Sequence, residues 1–175
     1  YAQDLTEKLI DYKKLKSGAR VILYSVKNPS LYGVANIDQN KKIVSIKEKQ
    51  KNPTSKLAVT GLYFFDNEVI KFSKTLKQSK RKELEIVDLL NIYRKKKSLK
   101  AEFLGRGSAW MDTGSIEDFY DTSQFVSTIE KRQGFKIACL EEIALNNKWI
   151  KKKNLIKAIS FYGKCNYSKY LQSLI

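Results

Sequence analysis

The run from residue 57 to residue 66, Leu-Ala-Val-Thr-Gly-Leu-Tyr-Phe-Phe-Asp, constrains this chain more than any other. It is apolar on both faces in its middle. A strand of that kind is stable only where both faces are covered, which places it centrally in a sheet. Gly61 interrupts its β-propensity, which points to close packing or to a ligand approaching the backbone.

The flanking pattern alternates strands and helices. Residues 19–26 form a β-rich apolar run. Residues 32–38 and 43–48 read as strands joined by a hairpin turn at Gln39-Asn40-Lys41-Lys42, and residues 99–104 as another strand. Helical spacing appears at 4–16, where Leu5, Leu9, Tyr12 and Leu15 share a face and Gly18 ends the helix. A short helix begins at Asn67, with Val69, Ile70 and Phe72. A longer one covers 83–97, with Leu84, Val87 and Leu90 inward and Lys95-Lys96-Lys97 at the negative pole of its dipole. Ser115 caps a helix reaching Arg132, with Asp118 at the capping-box position and Ile116, Phe119, Tyr120, Val126 and Ile129 as its stripe. Residues 137–139 extend briefly. The last forty residues are helical at 141–148, 152–159 and 167–174, with Trp149, Tyr162, Tyr167 and Tyr170 as packing residues. The chain is therefore expected to be α/β, with one part over 1–134 and a helical tail over 135–175.

Chemistry concentrates in three places. Ser108 to Ser115 reads as a short strand, the carboxylate Asp112, a Thr-Gly turn and a helix N-cap. A carboxylate at a strand end before a helix sits where open α/β sheets keep ligands, and it suits a hard cation such as Mg²⁺. Asp before Thr-Gly also caps turns, so both roles stand. Lys47-Glu48-Lys49 sets opposite charges at a strand end. A carboxylate there can accept from sugar hydroxyls and an ammonium can neutralise a phosphate, although such runs are usually solvated. Gly33 opens a strand and permits close approach to the backbone.

Composition excludes several classes. The chain has 175 residues and no histidine, which removes Ser-His-Asp, Cys-His and His-metal chemistry. Its cysteines, Cys139 and Cys165, lack a metal-type spacing, and a reducing cytoplasm fits them. No apolar run approaches about 20 residues, so no membrane span and no membrane partner are expected. No signal peptide is visible, and a start at Tyr1 without Met suggests a fragment or a processed chain. The net charge of +16 invites nucleic acid. Only five of the 34 basic residues are Arg, however, and scattered Lys fits solvated faces better than base readout. The same field would draw phosphate-bearing small substrates.

Six stretches in order resemble one family, the glucose-1-phosphate thymidylyltransferases. They are Asn28-Pro29-Ser30-Leu31-Tyr32-Gly33-Val34, Glu48-Lys49, residues 58–66, Glu83-Leu84-Glu85-Ile86-Val87-Asp88, Trp110-Met111-Asp112-Thr113-Gly114 and Ile129-Glu130-Lys131-Arg132-Gln133-Gly134. The resemblance implies the mixed-sheet, Rossmann-like nucleotide-diphospho-sugar transferase fold, represented by its C-terminal part. It implies Mg²⁺-dependent transfer from dTTP to glucose 1-phosphate, giving dTDP-glucose and pyrophosphate, in a cytoplasmic homo-oligomer, a tetramer in the family. It assigns Glu48 to the glucose ring, Lys49 to its phosphate, Gly33 and Val59 to the sugar through their backbone, Tyr63 to the pocket wall and Asp112 to the metal. A second, regulatory nucleotide site is implied near Tyr1, Gly105, Ser127 and Arg132. The family's Gly-rich triphosphate loop and its L-G-D-N aspartate have no counterpart in these residues, so the chain alone is expected to be inactive. The family's Pro after Glu-Lys is Gln50 here. A UTP-using sister enzyme and a non-catalytic nucleotide or nucleic-acid binder are the alternatives.

Overall fold

The computed structural model describes residues 4–175, and the chain divides into two compact units, Tyr1–Trp110 and Met111–Ile175. The sequence pattern sets its boundary after Gly134 instead. The long helix α4 (Ile116–Gln133) groups with the tail helices, because Glu130 pairs with Lys136 and accepts from the Ile137 amide.

The first unit is a five-stranded mixed sheet of order β3-β2-β4-β1-β5. Its strands are β1 (Ala19–Ser25), β2 (Val34–Ile37), β3 (Ile43–Lys47), β4 (Leu57–Phe65) and β5 (Leu99–Phe103). The expected central strand is central: β4 is flanked by β1 and β2, both antiparallel to it, while β1 runs parallel to β5. Asp38 shapes the β2–β3 turn, accepting from the amides of Asn40 and Lys42 at 2.9 and 2.8 Å.

Gly61 lies where the β1–β4 pairing is irregular. Val21 faces Tyr63 and Leu23 faces Val59, so Thr60, Gly61 and Leu62 stand opposite Ile22 alone. This is a bulge. The buried Thr60 donates its hydroxyl to the Ile22 carbonyl at 3.0 Å. No atom lies within 4 Å of where a Gly61 Cβ would be, so close packing within the chain does not explain the glycine.

The helices of this unit are shorter than their patterns: α1 (Thr6–Lys13), α2 (Val69–Ser73) and α3 (Ile86–Lys95). Only Tyr12 of α1 is buried, and Leu9 is exposed. In α3, Val87, Leu89, Leu90 and Tyr93 are buried, whereas Leu84 precedes the helix and is exposed. Val21, Leu23, Ala35, Ile46, Val59, Val87 and Leu90 make the main core. Gly18 does not cap α1. It opens β1 with φ +86°, beside the Ser98 carbonyl.

Asp66, at the end of β4, joins three elements. It accepts from the Gly18 amide at 2.5 Å, the Tyr93 hydroxyl at 2.7 Å and the Glu68 amide at 3.0 Å. Burial alone would raise its carboxyl, but these donors and the Lys96 charge hold it below the usual range. Because the folded value is depressed, the stabilisation is full above about pH 4, near the unfolded value, and is lost as pH falls through the folded value. Asp66→Ala, which strands the buried Tyr93 hydroxyl, is expected to cost about 1–3 kcal/mol at neutral pH. The same variant should flatten the acid limb of a chemical-denaturation series below about pH 4, and an unchanged limb would refute the linkage.

The second unit is helical: α4, α5 (Leu140–Asn146), α6 (Lys152–Tyr162) and α7 (Asn166–Gln172). Ser115 caps α4 as expected, accepting from the Asp118 amide at 3.0 Å, and Gly134 ends it in the left-handed conformation. The Ser115 hydroxyl also donates to the Asp118 carboxylate, in place of the reciprocal backbone bond of a full capping box. The expected α4 stripe is not buried; Ile116 is 91% exposed. Residues 137–139 form no strand, and Ala138 is left-handed. Cys139, Leu155 and Leu171 form the core, with Tyr167 and Tyr170 packed on it. Glu141 accepts from Tyr162 and Tyr167, and Glu142 from Tyr170. Trp149 is 74% exposed and does not pack, because the turn before α6 carries it away from that core. Among the described residues no helix is long and apolar enough to cross a membrane.

Candidate functional site

β3 delivers Glu48 to the edge of an open cleft of about 370 Å³ in the first unit. Ile46, Glu48, Lys49, Arg81, Glu85, Val87, Asp88 and Asn91 are among the residues lining it. The chain leaves β3 abruptly. Lys49 is left-handed at φ +38°, and its amide donates to the Tyr32 carbonyl at 3.1 Å. Sequence spacing alone does not require that turn, which puts Glu48 and Lys49 at the same rim.

Gly33 explains how the carboxylate fits. A Cβ there would lie 2.9 Å from Glu48 Oε2 and 2.9 Å from Val87 Cγ2. The glycine makes room for Glu48 itself. The Val59 amide donates to the Gly33 carbonyl at 2.8 Å, so these two groups form the seam between β4 and the chain entering β2. Gly33, Glu48, Lys49 and Val59 are thus brought together. Tyr63 lies four residues further along β4 and packs onto the main core beside Phe65.

The electrostatics of the cleft centre on Glu48. Burial is the main force pushing its carboxyl above the usual range, and the Glu85 charge adds to it; Lys49 and Arg81 pull the other way. Arg81 lies 3.5 Å from Glu48, 2.7 Å from Glu83 and 3.5 Å from Glu85. Ser79 donates to Glu85 at 2.8 Å. Arg81 and Lys49 line the same cleft and can donate to a phosphate that displaces carboxylates from the guanidinium, while Glu48 can accept from hydroxyls. Glu85 and Asp88, from the 83–88 stretch of the family resemblance, line this cleft too. Arg81 is the residue that sequence reasoning missed. Its signal was rarity, one of five arginines among 34 basic residues.

The segment after β5 also differs from expectation. Residues 108–112 form no strand beyond a single bridge at Ala109, and the ring of Trp110 packs on side chains. It lies edge-on to Tyr24 and Tyr32, at 6.2 and 5.2 Å between centroids, and Tyr24 donates to the Ser108 carbonyl at 3.0 Å. Gly105 is exposed in the turn, its carbonyl accepting from the Ser108 amide.

Asp112 belongs to the second unit. Its carboxylate is exposed and sits over Gly114, with Oδ2 3.1 Å from the position of a Gly114 Cβ. Its carbonyl accepts from Thr122 at 3.4 Å. The described residues hold no cluster of three His, Cys, Asp or Glu side chains able to bind a metal. One oxygen donor suits Mg²⁺, which keeps waters and takes one or two carboxylates plus substrate phosphates. Ser127 and Arg132 lie on α4, half-buried and exposed respectively. Tyr1 lies outside the described residues.

Comparison with known proteins sets this geometry in a family. A curated glucose-1-phosphate thymidylyltransferase of Neisseria meningitidis is 43% identical over all 175 residues, which span 61% of that protein. A crystal structure described as a glucose-1-phosphate thymidylyltransferase from Bacillus anthracis, in complex with sucrose, superposes with a TM-score of 0.63 at 39% identity. It covers 71% of this chain and 49% of that one. A UDP-glucose pyrophosphorylase complexed with UDP-glucose, 24% identical, shares the fold, with a TM-score of 0.61 over 71% of this chain and 49% of its own. The family profile described as nucleotidyl transferase matches residues 1–129, about three quarters of the chain, and the chain belongs to that family.

Proposed function

We propose that this chain carries the sugar-phosphate and metal-binding part of a glucose-1-phosphate thymidylyltransferase. That enzyme makes dTDP-glucose and pyrophosphate from dTTP and glucose 1-phosphate. The observation that carries the reading is the Glu48 carboxylate lodged against Gly33, with Lys49 and Arg81 at the same cleft. The name of the relatives, matched along the whole chain, supports it.

The reaction needs no protein nucleophile. A phosphate oxygen of glucose 1-phosphate attacks the α-phosphorus of dTTP in line and pyrophosphate leaves, so positioning and charge neutralisation dominate. Glu48 orients the sugar through its hydroxyls. Lys49 and Arg81 meet the sugar's phosphate and keep its charge from repelling the incoming triphosphate. Asp112 would hold Mg²⁺, which when bound supplies charge stabilisation to phosphoryl oxygens. We place the reaction in the cytoplasm, in a homotetramer supplying dTDP-rhamnose and surface-polysaccharide precursors. The 175 residues alone would not turn over, because the family's Gly-rich triphosphate loop is not among them.

Calorimetric titration of the chain with dTDP-glucose and Mg²⁺ tests the reading. Binding is expected, with an affinity about tenfold weaker in Asp112→Ala, the scale of losing one metal-supporting group. UDP-glucose bound more tightly would favour the UTP-using sister enzyme. A folded chain that binds neither sugar nucleotide would remove the reading, and turnover by this chain alone would refute its inactivity.

A further inference from the structure

β3 is an edge strand, and its outward carbonyls at Val44 and Ile46 are both taken by α3. Asn91 Nδ2 donates to the Ile46 carbonyl at 3.0 Å, and Arg94 Nη1 to the Val44 carbonyl at 2.9 Å. Arg94 Nε donates to Asn91 Oδ1 at 2.9 Å. That third bond fixes the amide so that its NH₂ faces the strand. A lysine at position 94 could cover one carbonyl; only the two-nitrogen edge of a guanidinium reaches both the strand and the amide.

The strand they hold ends at Lys47, and Glu48 follows. On the far side the Lys49 amide is tied to the Tyr32 carbonyl. Glu48 therefore hangs between two anchors, one on β3 and one entering β2. Asn91 lines the same cleft as Glu48, so the α3 anchor and the carboxylate share one wall. Edge protection alone would not require that placement.

We propose that Asn91 and Arg94 are positioning residues, which hold the β3 edge through the Ile46 and Val44 carbonyls. They thereby set where the Glu48 carboxylate lies over Gly33 and how tightly the cleft takes a hexose 1-phosphate. Neither touches the substrate. The inference rests on the sugar-phosphate reading above. Loosening the anchor lets Glu48 move off Gly33 into water, where it loses part of the burial that now raises its carboxyl. The charged groups that face Glu48 are Glu85, Lys49, Arg81 and Glu83, and none is altered by the variants below.

The test is a ¹³C NMR titration of the Glu48 carboxyl in the 175-residue chain, beside a glucose 1-phosphate titration. Wild type, Asn91→Ala and Arg94→Lys are compared, with circular dichroism confirming the fold. Arg94→Lys keeps a donor for Val44 but none for Asn91. In both variants the Glu48 midpoint is expected to fall toward the ordinary carboxylate range, and the dissociation constant to rise about tenfold, as for supporting partners of other sites. Folded variants with wild-type midpoint and affinity would overturn the proposal. If Asn91→Ala fails to fold, Arg94→Lys decides. If that fails too, the pair holds the fold and not the carboxylate, and the proposal falls. A midpoint that shifts while even wild type ignores glucose 1-phosphate would support the positioning and overturn the sugar-phosphate reading.

Discussion

Gly18→Ala is expected to destabilise the first unit by about 3–5 kcal/mol, through two effects at one atom. The residue sits at φ +86°, where a side chain is strained. The added Cβ would also overlap the Ser98 carbonyl oxygen, which is main chain and cannot swing away. That carbonyl accepts from the Ala19 amide at 2.9 Å, so moving it breaks the start of the β1–β5 ladder. Urea unfolding of the two proteins measures the loss. Gly61→Ala makes a good control, since open space surrounds that position and its φ is not left-handed. Similar midpoints for Gly18→Ala and wild type would show that Ser98 can retreat.

Glu48→Gln is expected to weaken glucose 1-phosphate binding by about tenfold to a hundredfold, the worth of hydrogen bonds to a charged acceptor. Only the ionised carboxylate accepts at both oxygens. Because burial and Glu85 raise its folded value, binding in wild type should strengthen as pH rises through that value, above the ordinary carboxylate range. In Glu48→Gln only the rise that follows the ligand's own second phosphate ionisation, at about pH 6, should remain. Calorimetry between pH 4 and 7 reads both effects, and a variant with wild-type affinity would exclude Glu48 from the site.

The architecture was legible where local pattern and burial agree. Residues 57–66 read as a central strand because both faces had to be covered, and β4 is central. Ser115 marked the start of α4 through cap chemistry, which is local. What was not legible depended on neighbours distant in sequence. Gly18 is explained by Ser98, Gly33 by Glu48 and Val87, and Gly61 by a register shift against Ile22. Leu84 and Trp149 looked like core residues because hydropathy says nothing about where a helix starts. At the site, Glu48, Lys49, Gly33 and Val59 came from motif words and do converge. Arg81 and Asn91 reach the same cleft, and Arg94 its strand edge, only through the packing of α3 and its approach segment against β3, so no short motif contains the whole set.

The seam between β2 and β4 is narrow: only Val34 and Ala35 of β2 face β4, opposite Ala58 and Leu57. The β1–β4 and β1–β5 pairings are far longer. The hairpin that presents Glu48 is thus fastened to the sheet like a hinged leaf, through a few backbone bonds at its root and through α3 along its free edge. So short a seam is expected to open at a lower free energy than the whole unit. On the function proposed above, a leaf that opened locally would let a bulky phosphosugar enter or a sugar nucleotide leave while the central strands stay zipped.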